Sequence, residues 1–84
     1  MGDSDGEVTV TVLAFGQLAE HLGGRTHERS VEPGTSIRTL VIELGLQQWI
    51  DFGLSVAING QRCTLDAALG SGDEVALLPP VSGG

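Results

Sequence analysis

Hydrophobic and polar residues alternate near the start of the chain, and this alternation predicts a first strand over residues 7–15. Val8, Val10 and Val12 occupy one face, while two threonines and Leu13 occupy the other. Valine and threonine favour strands, and a period of two is that of a half-buried strand. The sequence therefore predicts a strand with one face on a core.

A short helix and a second strand are predicted next. Residues 17–22 contain good helix formers with two leucines four positions apart, and the pair Gly23-Gly24 closes this segment. Residues 25–32 are more polar, and Val31 is their clearest apolar residue. So polar a strand is expected at an edge of the sheet.

The clearest helix signal lies further on, where apolar residues recur at i, i+3, i+4 and i+7: Ile37, Leu40, Val41 and Leu44. This spacing puts them on one face of an amphipathic helix. Thr35 or Ser36 is available as its N-cap, and Gly45 as its C-terminal cap. Residues 46–53 have no clean pattern, and another turn of helix is expected there.

The last third of the chain predicts three short strands. Residues 54–58 and 61–65 flank Asn59-Gly60, the dipeptide typical of a tight hairpin. A short turn or helical piece is expected at 66–69, a tight loop at 70–73, and a final strand at 74–78. In the final strand one face is formed by Val75 and Leu77 and the other by Ala76 and Leu78.

These elements predict an α+β fold, with a mixed sheet of about five strands packed on one main helix. Residues 7–78 form this domain, while the polar, acidic residues 1–6 are expected to be disordered. No helix is predicted for the second face of the sheet. If Ala76 and Leu78 point there, they form an apolar patch that marks a partner surface.

Charge and length narrow the possible functions. The 84 residues suffice for one domain, and eleven acidic side chains against four arginines give a net charge of −7. That balance argues against nucleic acid as a partner. It suits docking on a basic protein surface, and equally it keeps a small domain soluble. The chain has no lysine, so it offers no side-chain amine for acylation or Schiff-base chemistry.

No internal active site is predicted. His21 and His27 are too few for a metal site, and the single cysteine, Cys63, excludes an internal disulfide. A free cysteine in a strand acts as a small hydrophobe, with a persulfide carrier as the less favoured alternative. Trp49 is expected in the core or at its rim. With no leader or membrane-length apolar run, we expect a cytoplasmic protein with no membrane partner.

The last residues carry the candidate chemistry. Pro79-Pro80 ends the final strand because proline cannot donate a ladder hydrogen bond. The tail 79–84 could then project roughly 20 Å from the domain. Gly83 and Gly84 have no Cβ, so the terminal α-carboxylate could enter a narrow channel in another protein. Its use would require adenylation by an ATP-dependent enzyme. A frayed polar end is the alternative explanation.

These residues resemble a known family. The element order and the ending Gly72-Asp73-Glu74-Val75-Ala76-Leu77-Leu78-Pro79-Pro80-Val81-Ser82-Gly83-Gly84 are similar to the ubiquitin-like β-grasp sulfur carriers of the MoaD/ThiS family. Within that family the ending is most similar to molybdopterin synthase small subunits. The resemblance covers residues 7–84 and implies that the first and last strands lie side by side in parallel.

The resemblance also implies a mechanism with three partners. An E1-like (MoeB-like) adenylating enzyme would use Mg-ATP to activate Gly84, and a sulfurtransferase relay would convert the adenylate into a thiocarboxylate. The tail would then enter the large (MoaE-like) subunit of molybdopterin synthase and pass sulfur to a pyranopterin precursor of the molybdenum cofactor. The chain itself would bind no metal or cofactor, and the catalytic residues would belong to the large subunit.

Under this resemblance the reacting group is on Gly84, and the partner-binding residues are Ala76, Leu78, Pro79, Pro80, Val81, Ser82 and Gly83. Three alternatives stay open at this point. The chain could be a ubiquitin-like modifier that is conjugated to lysines of target proteins. It could instead carry sulfur for thiamin or cysteine synthesis, or act only as a β-grasp binding module.

Overall fold

The computed structural model describes residues 7–80, in which five strands and three short helices alternate. The expected disordered start and the residues Val81–Gly84 lie outside this range. In chain order the elements are β1 Val8–Ala14, α1 Gln17–Leu22, β2 Thr26–Val31, α2 Ile37–Glu43, α3 Gln47–Phe52, β3 Ser55–Ile58, β4 Gln61–Cys63 and β5 Glu74–Leu78.

The five strands form one mixed sheet in the order β2-β1-β5-β3-β4. β1 and β5 run parallel at its centre, with Val12 beside Val75 and Ala14 beside Leu77. The other neighbours are antiparallel. The predicted α+β class and mixed sheet are confirmed. The parallel pairing that the resemblance implied is also present.

One face of the sheet, here called the inner face, packs on the helices. Its fully buried side chains include Val10 and Val12 of β1 and Val75 and Leu77 of β5. The main helix α2 buries the predicted positions Ile37, Leu40 and Val41, while Leu44 is only partly buried. Alternation therefore places the remaining strand positions on the opposite side, here called the outer face.

Helix α2 begins and ends as its sequence indicates. Ser36 is the N-cap, and its hydroxyl oxygen accepts a hydrogen bond from the Thr39 backbone N–H at 3.3 Å. At the other end the Leu46 N–H donates to the Val41 carbonyl at 3.1 Å, and both side chains are fully buried. This bond reverses the chain, so the expected extra helical turn at 46–53 is a separate helix, α3.

The fourth strand is shorter than predicted. It ends at Cys63, whereas the pattern favoured a strand over 61–65. The carbonyls of Leu65 and Ala67 accept hydrogen bonds from the first N–H groups of α2, at 2.9 and 3.1 Å, so this segment leaves the sheet to cap the helix. Residues 66–69 accordingly form a turn with an isolated bridge between Ser36 and Ala68.

The hairpin between β3 and β4 forms as predicted. Asn59 and Gly60 have positive φ angles of 51° and 86°, which a type I′ turn requires at both central positions. Within residues 7–80, no helix has the length and apolar character needed to cross a bilayer.

Candidate functional site: the root of the C-terminal tail

The tail leaves the domain from β5, a central strand of the sheet. Val75 and Leu77 are fully buried on the inner face, while Ala76 and Leu78 are half-buried on the outer face. Leu78, Pro79 and Pro80 are called the tail root below. Because β5 is held by β1 on one side and β3 on the other, the direction in which the tail begins is fixed by two neighbouring strands.

On the β1 side the root is in close contact with a glycine. The Phe15 N–H donates to the Leu77 carbonyl at 3.3 Å, which extends the parallel pairing by one residue. A Cβ placed on the next residue, Gly16, would lie 3.2 Å from Pro79 Cγ. Gly16 also has φ 58° and ψ −131°, a conformation that side chains disfavour. Both facts restrict this position to glycine.

On the β3 side a second glycine contacts the root. Ser55 pairs with Leu78, so the chain preceding β3 runs beside the prolines. A Cβ on Gly53, the C-cap of α3, would lie 3.6 Å from Pro80 Cβ, and Gly53 has φ 105°. The root therefore passes between the β1–α1 corner and the end of α3, and each proline packs against one of the two.

The outer face beside the root is apolar and has no helix over it among the described residues. Ala76 is aligned with Leu13 of β1 and with Ala57 of β3. Phe15 is exposed next to this row. The predicted apolar patch is thus present, and it is continuous with the tail root. Aromatic and aliphatic side chains in such a patch mark partner surfaces.

Charged residues surround this patch. Thr11 on the outer face lies between Glu28 of β2 and Glu74 of β5, so two carboxylates border the patch away from the tail. Arg62 lies at the opposite edge, aligned with Ala57. The surface that a partner would meet has an apolar region near the tail and a more acidic region further from it.

The other end of β5 is fixed by a side-chain network. Asn59 Nδ2 donates to Asp73 Oδ1 at 3.0 Å, and Asn59 Oδ1 accepts from the Glu74 N–H at 3.0 Å. Asp73 Oδ2 accepts from the Gly70 N–H at 2.8 Å. The hairpin turn is therefore joined to the loop before β5, so the start of the strand that carries the tail is held in register.

Four predicted site residues lie in the described range, and the structure brings them together: Ala76, Leu78, Pro79 and Pro80. The predictions for Val81, Ser82, Gly83 and Gly84 fall outside it. Two contact glycines, Gly16 and Gly53, were not predicted as site residues. In the sequence they appear only as breaks after an apolar segment, and nothing local shows that the tail packs against them.

The other candidate side chains have structural positions. His27 Nε2 lies 2.9 Å from the Gly24 carbonyl, and His21 is exposed on α1. Cys63 is half-buried against the core, with Sγ 4.0 Å from the Val56 carbonyl. Trp49 is partly buried at the rim of the core. Among residues 7–80 no three His, Cys, Asp or Glu side chains cluster at metal-binding distance.

Fold and site together define a β-grasp domain whose last strand, paired in parallel with the first, ends in a proline-initiated tail. The sequence pattern of the ThiS family matches residues 12–84, and the chain belongs to this family. Its members and relatives are small ubiquitin-like sulfur carriers and modifiers. Among curated protein sequences, none matches the chain significantly.

Solved structures agree with this assignment. SAMP1 from Haloferax volcanii is 31% identical, with 90% of this chain and 99% of that chain covered at a TM-score of 0.72. A Pyrococcus furiosus protein described as subunit 1 of a molybdopterin converting factor is 24% identical, with 88% and 99% covered at 0.72. Caldiarchaeum subterraneum ubiquitin, 15% identical, covers 94% and 100% at 0.64. The last two show the shared fold alone.

Proposed function

We propose that this chain is the small, sulfur-carrying subunit of a molybdopterin synthase, with the sulfur held as a thiocarboxylate on Gly84. The observation that carries the proposal is the tail root. A central strand buried on one face ends in two prolines that pack between Gly16 and Gly53, beside an uncovered apolar patch. A terminal Gly-Gly on such a base suits insertion into another protein's active site.

The chemistry requires activation of the terminal carboxylate. A carboxylate oxygen of Gly84 attacks the α-phosphorus of Mg-bound ATP, pyrophosphate leaves, and an acyl adenylate forms on the activating enzyme. A sulfur nucleophile from a sulfurtransferase then attacks the carbonyl carbon, and AMP leaves. After the sulfur is released from its donor, Gly84 carries a thiocarboxylate. Each charging therefore consumes one ATP and adds one sulfur.

Delivery takes place in the large subunit. The thiocarboxylate sulfur attacks the pyranopterin precursor, and hydrolysis of the resulting acyl intermediate returns the Gly84 carboxylate. A dithiolene needs two sulfurs, so the carrier is charged twice for each product. This chain contributes the sulfur, the reach of its tail and the docking patch, and the large subunit contributes the catalytic side chains.

A second candidate function is protein modification. It is favoured by the similarity to the archaeal modifier SAMP1 at 31% identity over most of both chains. In that case a lysine amine of a target attacks activated Gly84 and an isopeptide bond forms. This chain has no lysine, so chains of modifiers could not grow through its side chains. Sulfur delivery for thiamin or cysteine synthesis is a further alternative within the same charging chemistry.

One experiment separates these functions. Charged protein is mixed in parallel with the large synthase subunit plus pyranopterin precursor, and with a lysine-rich extract of the host. Dithiolene formation with return of the Gly84 carboxylate supports the synthase role. Covalent adducts linked through Gly84 to lysine support modification. A charged protein that gives neither would refute both and leave the other sulfur pathways.

A further inference from the structure

Phe52, the last residue of α3, has 59% of its surface exposed and is the most exposed large hydrophobic side chain among residues 7–80. A single exposed hydrophobic residue is ordinary on a protein surface. Phe52 differs because it directly precedes Gly53, the residue that packs against Pro80 of the tail root. Its ring is therefore next to the point at which the tail leaves the domain.

The ring of Phe52 is held in place by Trp49. The two rings meet edge to face, with centroids 5.6 Å apart and an interplanar angle of 83°. This is a favourable geometry for an aromatic pair. The Trp49 side of the pair is anchored at the core, and its Nε1 is buried with no hydrogen-bond partner among the described residues. An exposed ring that is already ordered loses little conformational entropy when a partner covers it.

The two sides of the tail root are alike. Phe15 precedes Gly16 on one side, as Phe52 precedes Gly53 on the other, and both rings are exposed. A channel that admits only the narrow end of the tail must bring its mouth down to the root, since the tail is short. The rim of that mouth therefore meets residues on both sides, and α3 is one of the two surfaces it touches.

The charge around α3 indicates what the rim should contain. From Thr39 to Gln61 the chain has two carboxylates, Glu43 and Asp51, and no lysine, arginine or histidine. Asp51 is exposed directly beside Phe52. A partner covering this surface would bury an unpaired carboxylate unless it supplied a cation, which would be costly.

We propose that Phe52 is an anchor for the enzyme that adenylates the tail, and that this enzyme presents an apolar pocket bordered by basic side chains at the mouth of its tail channel. The proposal rests on the proposed function only in that Gly84 is adenylated. That step is common to sulfur transfer and to protein modification, so the anchor does not depend on which of them is correct.

The test is ATP–pyrophosphate exchange with the adenylating enzyme of the same organism. Phe52→Ala should raise the KM for this chain by roughly tenfold with kcat unchanged, as for a hot-spot aromatic residue. Phe52→Leu, which keeps apolar bulk, should recover most of the loss. Ile42→Ala is the matched control, because Ile42 is 44% exposed on α2 but borders a depression formed by other residues of the α2–α3 region.

Two further readouts separate docking from folding. Trp49 is the only tryptophan of the chain, so its fluorescence should shift when the enzyme covers Phe52 in the unsubstituted protein. Phe52→Gln, which keeps a helix-forming residue, should raise KM while circular dichroism and melting stay unchanged. Exchange with an unaltered KM in Phe52→Ala and Phe52→Gln would overturn the anchor and leave the proposed function intact. No exchange with the unsubstituted chain would overturn both.

Discussion

Pro79 and Gly16 are in contact so close that a Cβ on the glycine would lie 3.2 Å from the proline Cγ. The two residues are far apart in the sequence, and parallel pairing of β1 with β5 brings them together. Gly16 also has a φ of 58°. A side chain at this position therefore meets two obstacles, one from the backbone conformation and one from the tail root.

Gly16→Ala is expected to lower the free energy of unfolding by about 1–3 kcal/mol from the backbone conformation alone, with a further loss from the contact with Pro79. Gly34→Ala is the matched control, because Gly34 has a φ of 85° and nothing within 4 Å of its would-be Cβ. Urea unfolding measures both. Equal losses in the two variants would show that Pro79 does not press on Gly16.

Neighbouring leucines on β5 are expected to separate binding from stability. Leu77 is fully buried, so Leu77→Ala should lower the free energy of unfolding by about 2–5 kcal/mol. Leu78 is half-buried on the outer face, so Leu78→Asp should leave most of the stability and weaken binding of the large synthase subunit. Titration calorimetry measures the binding. Undiminished affinity of Leu78→Asp would show that the outer face is not the partner surface.

The network at the start of β5 gives a prediction about stability without function. Asn59→Gly keeps the positive φ of the turn but removes both side-chain hydrogen bonds, to Asp73 and to the Glu74 N–H. Each bond contributes about 0.5–1.5 kcal/mol. The double variant with Asp73→Ala should lose less than the sum of the single losses, because the two residues share a bond. Strict additivity in urea unfolding would contradict the network.

Cys63 is expected to take no part in sulfur transfer. Its Sγ is half-buried on the inner face, against the Val56 carbonyl, and the tail root lies beyond other strands. Cys63→Ala should therefore be charged with sulfur at the rate of the unsubstituted protein, with a small loss of stability from the missing packing. A variant that gains no sulfur would move the sulfur-carrying group from Gly84 to Cys63.

Much of this fold could be predicted because its signals are local. The alternation of Val8, Val10 and Val12, the helical spacing of Ile37 and Leu40, and Asn59-Gly60 each specify a structure within a few residues. The end of β4 at Cys63 could not be predicted, since the following carbonyls leave the sheet to cap α2. That competition for hydrogen bonds depends on tertiary contacts.

The site divides in the same way. Pro79-Pro80 and the outward position of Leu78 follow from the sequence of β5 alone. The contacts of the root with Gly16 and Gly53 depend on strand order and register, which local patterns do not specify. Phe52 likewise has no distinguishing signal in the sequence, because its importance comes from the neighbour that precedes β3 and packs on Pro80.

The central claim is that Gly84 carries the sulfur, and intact mass spectrometry tests it most directly. The chain is incubated with Mg-ATP, its adenylating enzyme and a sulfur donor, beside a variant that lacks Gly84. The described core lies between Val10 and Leu77, so the shortened variant should melt at the same temperature.

The unsubstituted chain should gain the mass difference between sulfur and oxygen, located at Gly84 by fragmentation, and the shortened variant should gain nothing. A gain located elsewhere, an equal gain in the shortened variant, or no gain in either would contradict the account.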